Sequence, residues 1–219
     1  MDYRTSMEKM QFELRRLLDQ MGEHVQQALE QSVHSLEIFD QHLAKQIVDQ
    51  DSQINELENE VLELTAIIIA TQQPVSKDMR KTLIAIRMAH DLERMADLSV
   101  DIAKVVIRLE QQVDPLLLVG ITEMKDITLK MIKGSMESYD REDANLAEEM
   151  AELDHKVDRL YGDFLRRNSQ VIQLSKSSVT QGLSICFVGR FLERIADHAT
   201  NIGENVIYLT TNRRLDLNR

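Results

Sequence analysis

The chain has 219 residues and a formal net charge of −11, an acidity that excludes a nucleic-acid binder, which needs a concentrated basic face. Only 7 glycines, 2 prolines and 4% aromatic residues stand beside abundant Glu, Leu, Gln, Lys, Ala and Met, a composition of long helices rather than sheets. The longest apolar runs, Leu64–Ala70 and Leu116–Val119, fall far below the roughly 20 residues of a membrane span.

The N-terminus, MDYRTSMEKM, is charged and polar and does not read as a signal peptide, so a cytoplasmic protein is expected. From about Tyr3 to Phe39 the residues Phe12, Leu14, Leu17, Leu18, Met21, Val25, Leu29, Val33 and Leu36 step by three and four, predicting an amphipathic helix. Asp40 is placed to cap a second helix, from about His42 to Thr71, on Leu43, Ile47, Ile54, Leu57, Val61, Leu64 and Ile68. Gln72–Ser76 breaks that pattern, with Ser76 as the expected N-cap of a third helix and Asp78 in its first turn. The third helix carries the string LERMAD, Leu92–Asp97, and runs to about Gln112. Asp114-Pro115 then opens a new helix, a capping aspartate followed by proline at the first position.

The second half repeats this plan. LERIAD, Leu192–Asp197, follows LERMAD by 100 residues, and Ser135–Asp140 sets against Ser35–Asp40 at the same offset. Asp154–Leu160 sets against Asp51–Leu57 at 103, which implies a three-residue difference in the first loop and an opposite one in the second. The predicted fold is all-α: two tandem antiparallel three-helix bundles from an internal duplication, residues 1–113 and 114–219, packed side by side. Cys186 lies in the apolar run Leu183–Val188 and reads as a small core residue of a reducing compartment. The eleven methionines mostly fall on apolar stripes and read as core filler. The tail arginines Arg213, Arg214 and Arg219 read as compensation of the last helix dipole.

The chemistry-bearing pattern is a set of carboxylate stripes. Glu93, Asp97 and Asp101 recur every four residues on the third helix; Glu193, Asp197 and Asn201 repeat them, with Glu204 a turn further. The second helices add Asp51 with Asn55, and Asp154 with Asp158, again four apart. Like charges at that spacing cost an isolated helix about 0.2–0.5 kcal/mol per pair, so something positive must meet them. That is either a basic side chain (Arg87, Arg94, Lys104, Arg190 or Arg194) or a metal ion. The duplication favours the metal, because a solvated face has no reason to keep Glu-Arg-x-Ala-Asp twice. Oxygen ligands at helical spacing suit hard cations such as Mg²⁺ or Mn²⁺, or an oxygen-rich iron site.

His90 and His198 flank these stripes at positions that are not equivalent in the two halves, and are expected to be exposed or capping. A ferritin-like oxidase needs two Glu-x-x-His pairs, and only Glu152–His155 occurs. There is no glycine-rich phosphate loop and no nucleophile–histidine arrangement, so no enzyme is expected; a metal-dependent enzyme is the remote alternative.

With these marks the chain resembles the PhoU family, regulators of phosphate uptake and phosphate signalling. The resemblance spans nearly the whole chain and rests on the twin Leu-Glu-Arg-x-Ala-Asp strings, the loop Gln73–Arg80, Pro115-Leu-Leu and the paired strings from Asp51 and Asp154. Many members carry Gly where this chain has Ala96 and Ala196, and Asn201 stands where the first half has an acid, Asp101. The resemblance implies two three-helix bundles with a divalent metal or iron cluster (Fe, Mn, Mg or Zn) on the Glu/Asp-x-x-x-Asp motifs. Here those are Glu93/Asp97 and Glu193/Asp197, with Asp101 and Asn201 beside them and Asp51 and Asp154 across from them. It further implies a homodimeric, non-enzymatic adaptor that couples the ATPase subunit of a phosphate ABC transporter to a phosphate sensor histidine kinase. Such an adaptor keeps the starvation response off; service to another phosphate transporter is the alternative.

Overall fold

The stepped apolar residues of the first forty positions form α1, Tyr3–Ile38, and bury Leu14, Leu17, Leu18, Met21, Val25, Leu29, Val33 and Leu36. Each such side chain contributes about 1.5–3 kcal/mol of burial. Phe12, expected on this stripe, instead faces solvent at 69% exposure. The structure is a computed structural model that describes residues 3–174, 179–213 and 216–217; these residues hold eight α-helices and no strand.

Asp40 caps α2, Gln41–Asp49, accepting from the backbone N–H groups of His42 and Leu43. The single second helix expected here breaks at Gln50–Asp51, and α3 runs from Ser52 to Gln72. The reason is local: Asp49, Gln50, Asp51 and Ser52 are consecutive polar residues, and Asp and Ser side chains compete for the backbone. Around the break i to i+3 bonds replace the helical ladder, Asp51 N–H to Val48 O and Gln53 N–H to Gln50 O. The start of α4, Ser76–Arg108, also departs from expectation. Val75 occupies the cap with no side-chain bond, and Ser76 lies inside the helix at φ +50°.

α4 stops at Arg108, short of Gln112, where Gln41 Nε2 donates to the carbonyls of Val106, Ile107 and Leu109. A side chain thus occupies carbonyls that a helix end leaves unpartnered. Asp114 does cap Pro115–Leu118, through Leu116 N–H, but that helix (α5) is one turn long. Gly120, at φ +101°, turns the chain into α6, Ile121–Arg141, followed by α7, Ala144–Leu174, and α8, Val179–Thr211. Arg214 and Arg219 of the tail lie outside the described residues, and Arg213 is exposed.

The repeat has a simpler register than two compensating length changes. Asp143 caps α7 as Asp40 caps α2, Asp143 N–H bonds Ser138 O as Asp40 N–H bonds Ser35 O, and Ser138 mirrors Ser35 in its own bond. These pairs are all 103 residues apart, so the match of Ser135–Asp140 to Ser35–Asp40 at 100 is a coincidence of composition. The single length difference falls in the connection between α3 and α4 and between α7 and α8.

Helices α1, α4, α6 and α8 pack together at the centre, with α1 on α6 and α4 on α8 joining the two bundles. α2 and α3 lie outside on α1 and α4, while α7 lies outside on α6 and α8. Most buried apolar residues of both bundles form one cluster, which includes Met21, Met88, Met95, Met124 and Met131, while Ala147, Val206 and Ile207 form a small second one. Cys186 is half-buried, and burial pushes its thiol pKa up.

The two bundles exchange volume at one equivalent contact. In the second, a Cβ on Gly189 would lie 2.7 Å from the ring of the fully buried Phe164. The corresponding residues of the first bundle are Ala89 and Val61, a larger residue against a smaller one. Gly189→Ala is therefore expected to lose about 1–2 kcal/mol in denaturant unfolding despite better helix propensity. Gly189→Ala/Phe164→Val, which recreates the first bundle's pair, should be less destabilised than the sum of its parts.

Candidate functional site

Each outer helix runs antiparallel along an inner one, so residues two turns apart on α3 meet residues two turns apart on α4. Asp51, at the break before α3, stands opposite Asp97 and Asp101, and Glu58 stands opposite His90 and Glu93. Burial, then the charges of Asp97 and Asp101, push the Asp51 carboxyl pKa up. Glu93 is 7% exposed; burial, then Asp97 and Glu58, raise its pKa against the opposing pull of Arg94. His90 Nδ1 lies 3.6 Å from Glu58 Oε1. Basic side chains do meet part of this charge: Arg94 Nη1 is 2.9 Å from Asp97, and Lys104 Nζ is 3.0 Å from Asp101. Both pairs are half-exposed and contribute little to stability.

The second cluster is built from α7 and α8. Asp154, 3% exposed, is pushed up to about 7 by burial, then by Asp158 and Asp197, with a Thr200 side-chain hydrogen bond opposing. Glu193 is also pushed up to about 7, by burial first and then by Asp197, although Arg190 donates to its Oε1. Asp197 is raised by burial, with Arg190 opposing and Asp158 reinforcing the rise.

Of the expected ligands, Asp51, Glu93, Asp97 and Asp101 thus gather in one cluster and Asp154, Glu193 and Asp197 in the other. Asn201 is engaged by its amide nitrogen across the bundles. Its Nδ2 donates to Asp91 Oδ1 at 3.3 Å across the α4–α8 contact, where His198 Nδ1 also lies 2.9 Å from the same oxygen. His198 is therefore a partner of the 8%-exposed Asp91, a bond between bundles that no pattern in either repeat foretells. Asp158 completes the second cluster as the equivalent of Asn55, and Glu58 extends the first. Glu58 continues the stripe of Asp51 and Asn55 by another three residues, which is the signal that could have found it.

The donor chemistry fits a cation. Asp51 Oδ1, Glu93 Oε2 and Glu193 Oε2 are buried and accept no hydrogen bond, and the last two belong to the twin LERxAD strings. Glu93 Oε2 is 2.8 Å from Arg94 Nε, but the pair is misaligned for a bond. A buried carboxylate oxygen without a donor is costly unless it is protonated or coordinates an ion.

The PhoU domain family model matches residues 18–106 and 121–206, in the 103-residue register at its start. A protein of Clostridium acetobutylicum described as a phosphate-specific transport system accessory protein PhoU homolog is 33% identical over 207 residues, 94% of each chain. A homolog so described from Pseudomonas putida is 34% identical over 90% of this chain and 77% of its own. The crystal structure of PhoU from Pseudomonas aeruginosa superposes with a TM-score of 0.90 at 32% identity, covering 94% of this chain and 99% of that one. The Streptococcus pneumoniae PhoU structure, at 24% identity and a TM-score of 0.81, covers 98% and 100% and shares the fold. Duplicated bundles, twin carboxylate clusters and matched register together make this chain a member of the PhoU family.

Proposed function

We propose that this chain is a non-enzymatic, metal-loaded adaptor of phosphate transport that restrains phosphate uptake and starvation signalling in the cytoplasm. The observation that carries the metal is the set of orphaned buried oxygens on Asp51, Glu93 and Glu193. The printed descriptions of its relatives, accessory proteins of phosphate-specific transport, support the transport role. The resemblance supplies the partners: the ATPase subunit of a phosphate ABC transporter, a phosphate sensor histidine kinase and a second copy of the chain. Among the described residues no helix is long and apolar enough to cross a membrane.

Asp51, Glu93, Asp97 and Asp101 would hold an ion in the first bundle, and Asp154, Asp158, Glu193 and Asp197 in the second. A bound divalent metal or iron cluster supplies positive charge that neutralises these faces. The carboxylates themselves set two rigid acidic patches on helices, and their occupancy decides whether an acidic partner is repelled. Asp97→Asn/Asp197→Asn is expected to lower the metal content of the purified protein by at least half in elemental analysis. Metal content equal to that of the parent would refute the assignment. Charge reversal, Asp97→Lys/Asp197→Lys, is expected to abolish repression; unchanged partner binding and repression would remove the adaptor mechanism.

A further inference from the structure

The apolar run Leu64–Ala70 forms the last turns of α3, beyond the carboxylates. Val61, Thr65 and Ile68 are buried there, whereas Leu62, Ala66, Ile67, Ile69 and Ala70 are exposed. A helix end that is apolar on its outer side as well as its inner one is normally covered on both, and a contiguous exposed apolar patch marks a contact surface. Leu62, Ala66 and Ile69 continue the stripe of Asp51, Asn55 and Glu58 along α3 at steps of three and four. In the register that sets Glu58 against His90 they lie opposite Leu83 of α4, itself 47% exposed. The second bundle does not repeat this patch. The equivalents of Ala66, Ile67 and Ala70 are Ser169, Gln170 and Gln173, with Arg166 and Arg167 beside them.

Charge decides what covers it. Residues 46–76 hold six Asp or Glu and no Lys or Arg, and residues 1–113 hold 12 basic against 20 acidic residues, which is −8 of the net −11. We propose that the α3–α4 patch docks an amphipathic helix of a partner protein, one with apolar residues at steps of three and four and Lys or Arg on its flanks. Its apolar stripe covers Leu62, Ile69 and Leu83, and its cations meet Glu60 and Glu63, which are exposed on the same helix. Long basic side chains suit the place, since their stems cover apolar surface while their heads reach a carboxylate. On α4, Arg87 is turned to Asn205, and Lys77 and Lys81 to Glu142, which leaves the half-buried Arg80 against those six acids. An isologous contact between two copies would set α3 glutamates against each other, and an anionic lipid surface would be repelled. The docking face rests on the adaptor reading for its partner and on no metal.

The test is calorimetric titration of the full chain with a synthetic helical peptide of about five turns, leucines at steps of three and four and lysines on both flanks. A copy with glutamates in place of the lysines is the control. Methyl NMR locates the contact: Ile67 and Ile69 should shift, while Ile195, buried in the second bundle, should not. Ile69→Gln/Leu83→Gln changes two exposed positions, so it should fold as the parent does, which circular dichroism checks. It is expected to weaken the lysine peptide about tenfold or more. Glu60→Gln/Glu63→Gln should weaken it too and flatten its salt dependence. Unchanged affinity in Ile69→Gln/Leu83→Gln, no binding by the parent, or equal binding of the two peptides overturns the docking face. So does a parent dimer, seen by sedimentation, that Ile69→Gln/Leu83→Gln dissociates, because the face then belongs to a second copy. Repression in cells separates this proposal from the adaptor reading. If the peptide is not bound and Ile69→Gln/Leu83→Gln still represses, the docking face falls and the adaptor stands. Selective peptide binding by a protein that does not restrain phosphate uptake removes the adaptor and keeps the face.

Discussion

Stripped of metal, the protein is expected to lose stability as the pH rises from about 4 to about 7, and Asp154→Asn to abolish much of that loss. The cause is the pair of carboxyls held at about 7 in the second cluster, Asp154 and Glu193, against ordinary values of 3.8 and 4.5. A carboxyl whose folded pKa lies above its unfolded one binds more protons in the folded state, so low pH favours folding. The contribution is complete below about pH 4, where both states are protonated, and is gone once the pH exceeds about 7. For Asp154 alone the full loss is on the order of 4 kcal/mol, for a rise from 3.8 to about 7 at about 1.4 kcal/mol per pKa unit. Asp154 is 3% exposed, so solvent screening relieves little of it.

Urea unfolding of chelated protein at pH 5 and pH 8 measures the effect, with the midpoint falling between the two. Asp154→Asn removes the buried charge, so it should raise the midpoint clearly more at pH 8 than at pH 5. If the proposed ion binds the folded state through this carboxylate, saturating metal should raise the parent at pH 8 and do less for the variant. A flat pH profile in the chelated parent would mean that the cluster is solvated and carries no stored cost. The predicted exchange of stability for ligand capacity is one common to functional sites.

The parts of this architecture that were legible in the sequence are those written in short-range pattern. Apolar steps of three and four placed the long helices, and the twin strings Leu92–Asp97 and Leu192–Asp197 exposed both the duplication and the carboxylate stripes. The break at Gln50–Asp51 was missed because the apolar stripe continues through it, from Ile47 to Ile54, while the backbone does not. The register of the repeats was misread because Ser35 and Ser135 match by type, and only their hydrogen bonds show that Ser32 is the true counterpart of Ser135. Asn201 was drawn into the second cluster by analogy with Asp101. The two bundles meet asymmetrically, though, and the α4–α8 contact claims Asn201 for Asp91. Contacts between repeats break the symmetry that a sequence comparison relies on.

That contact carries the other large expected effect. His198→Ala is expected to cost about 2–3 kcal/mol in unfolding at pH 7, because it leaves the 8%-exposed Asp91 carboxylate with only the Asn201 amide. The nearby Arg87 does not replace the lost partner, since its Nη1 turns to Asn205 Oδ1 at 3.5 Å. Adding Asp91→Asn should return most of the loss, since no charge then remains buried, and the double-mutant cycle isolates the coupling. Equal destabilisation in the single and double variants would mean that His198 acts through packing alone. Each carboxylate cluster is built within one bundle, so on the proposed metal reading His198→Ala should leave metal content unchanged while the α4–α8 contact weakens. Partner repression that falls with metal content intact would then show that the adaptor needs its two acidic faces held in fixed relation, and not merely occupied.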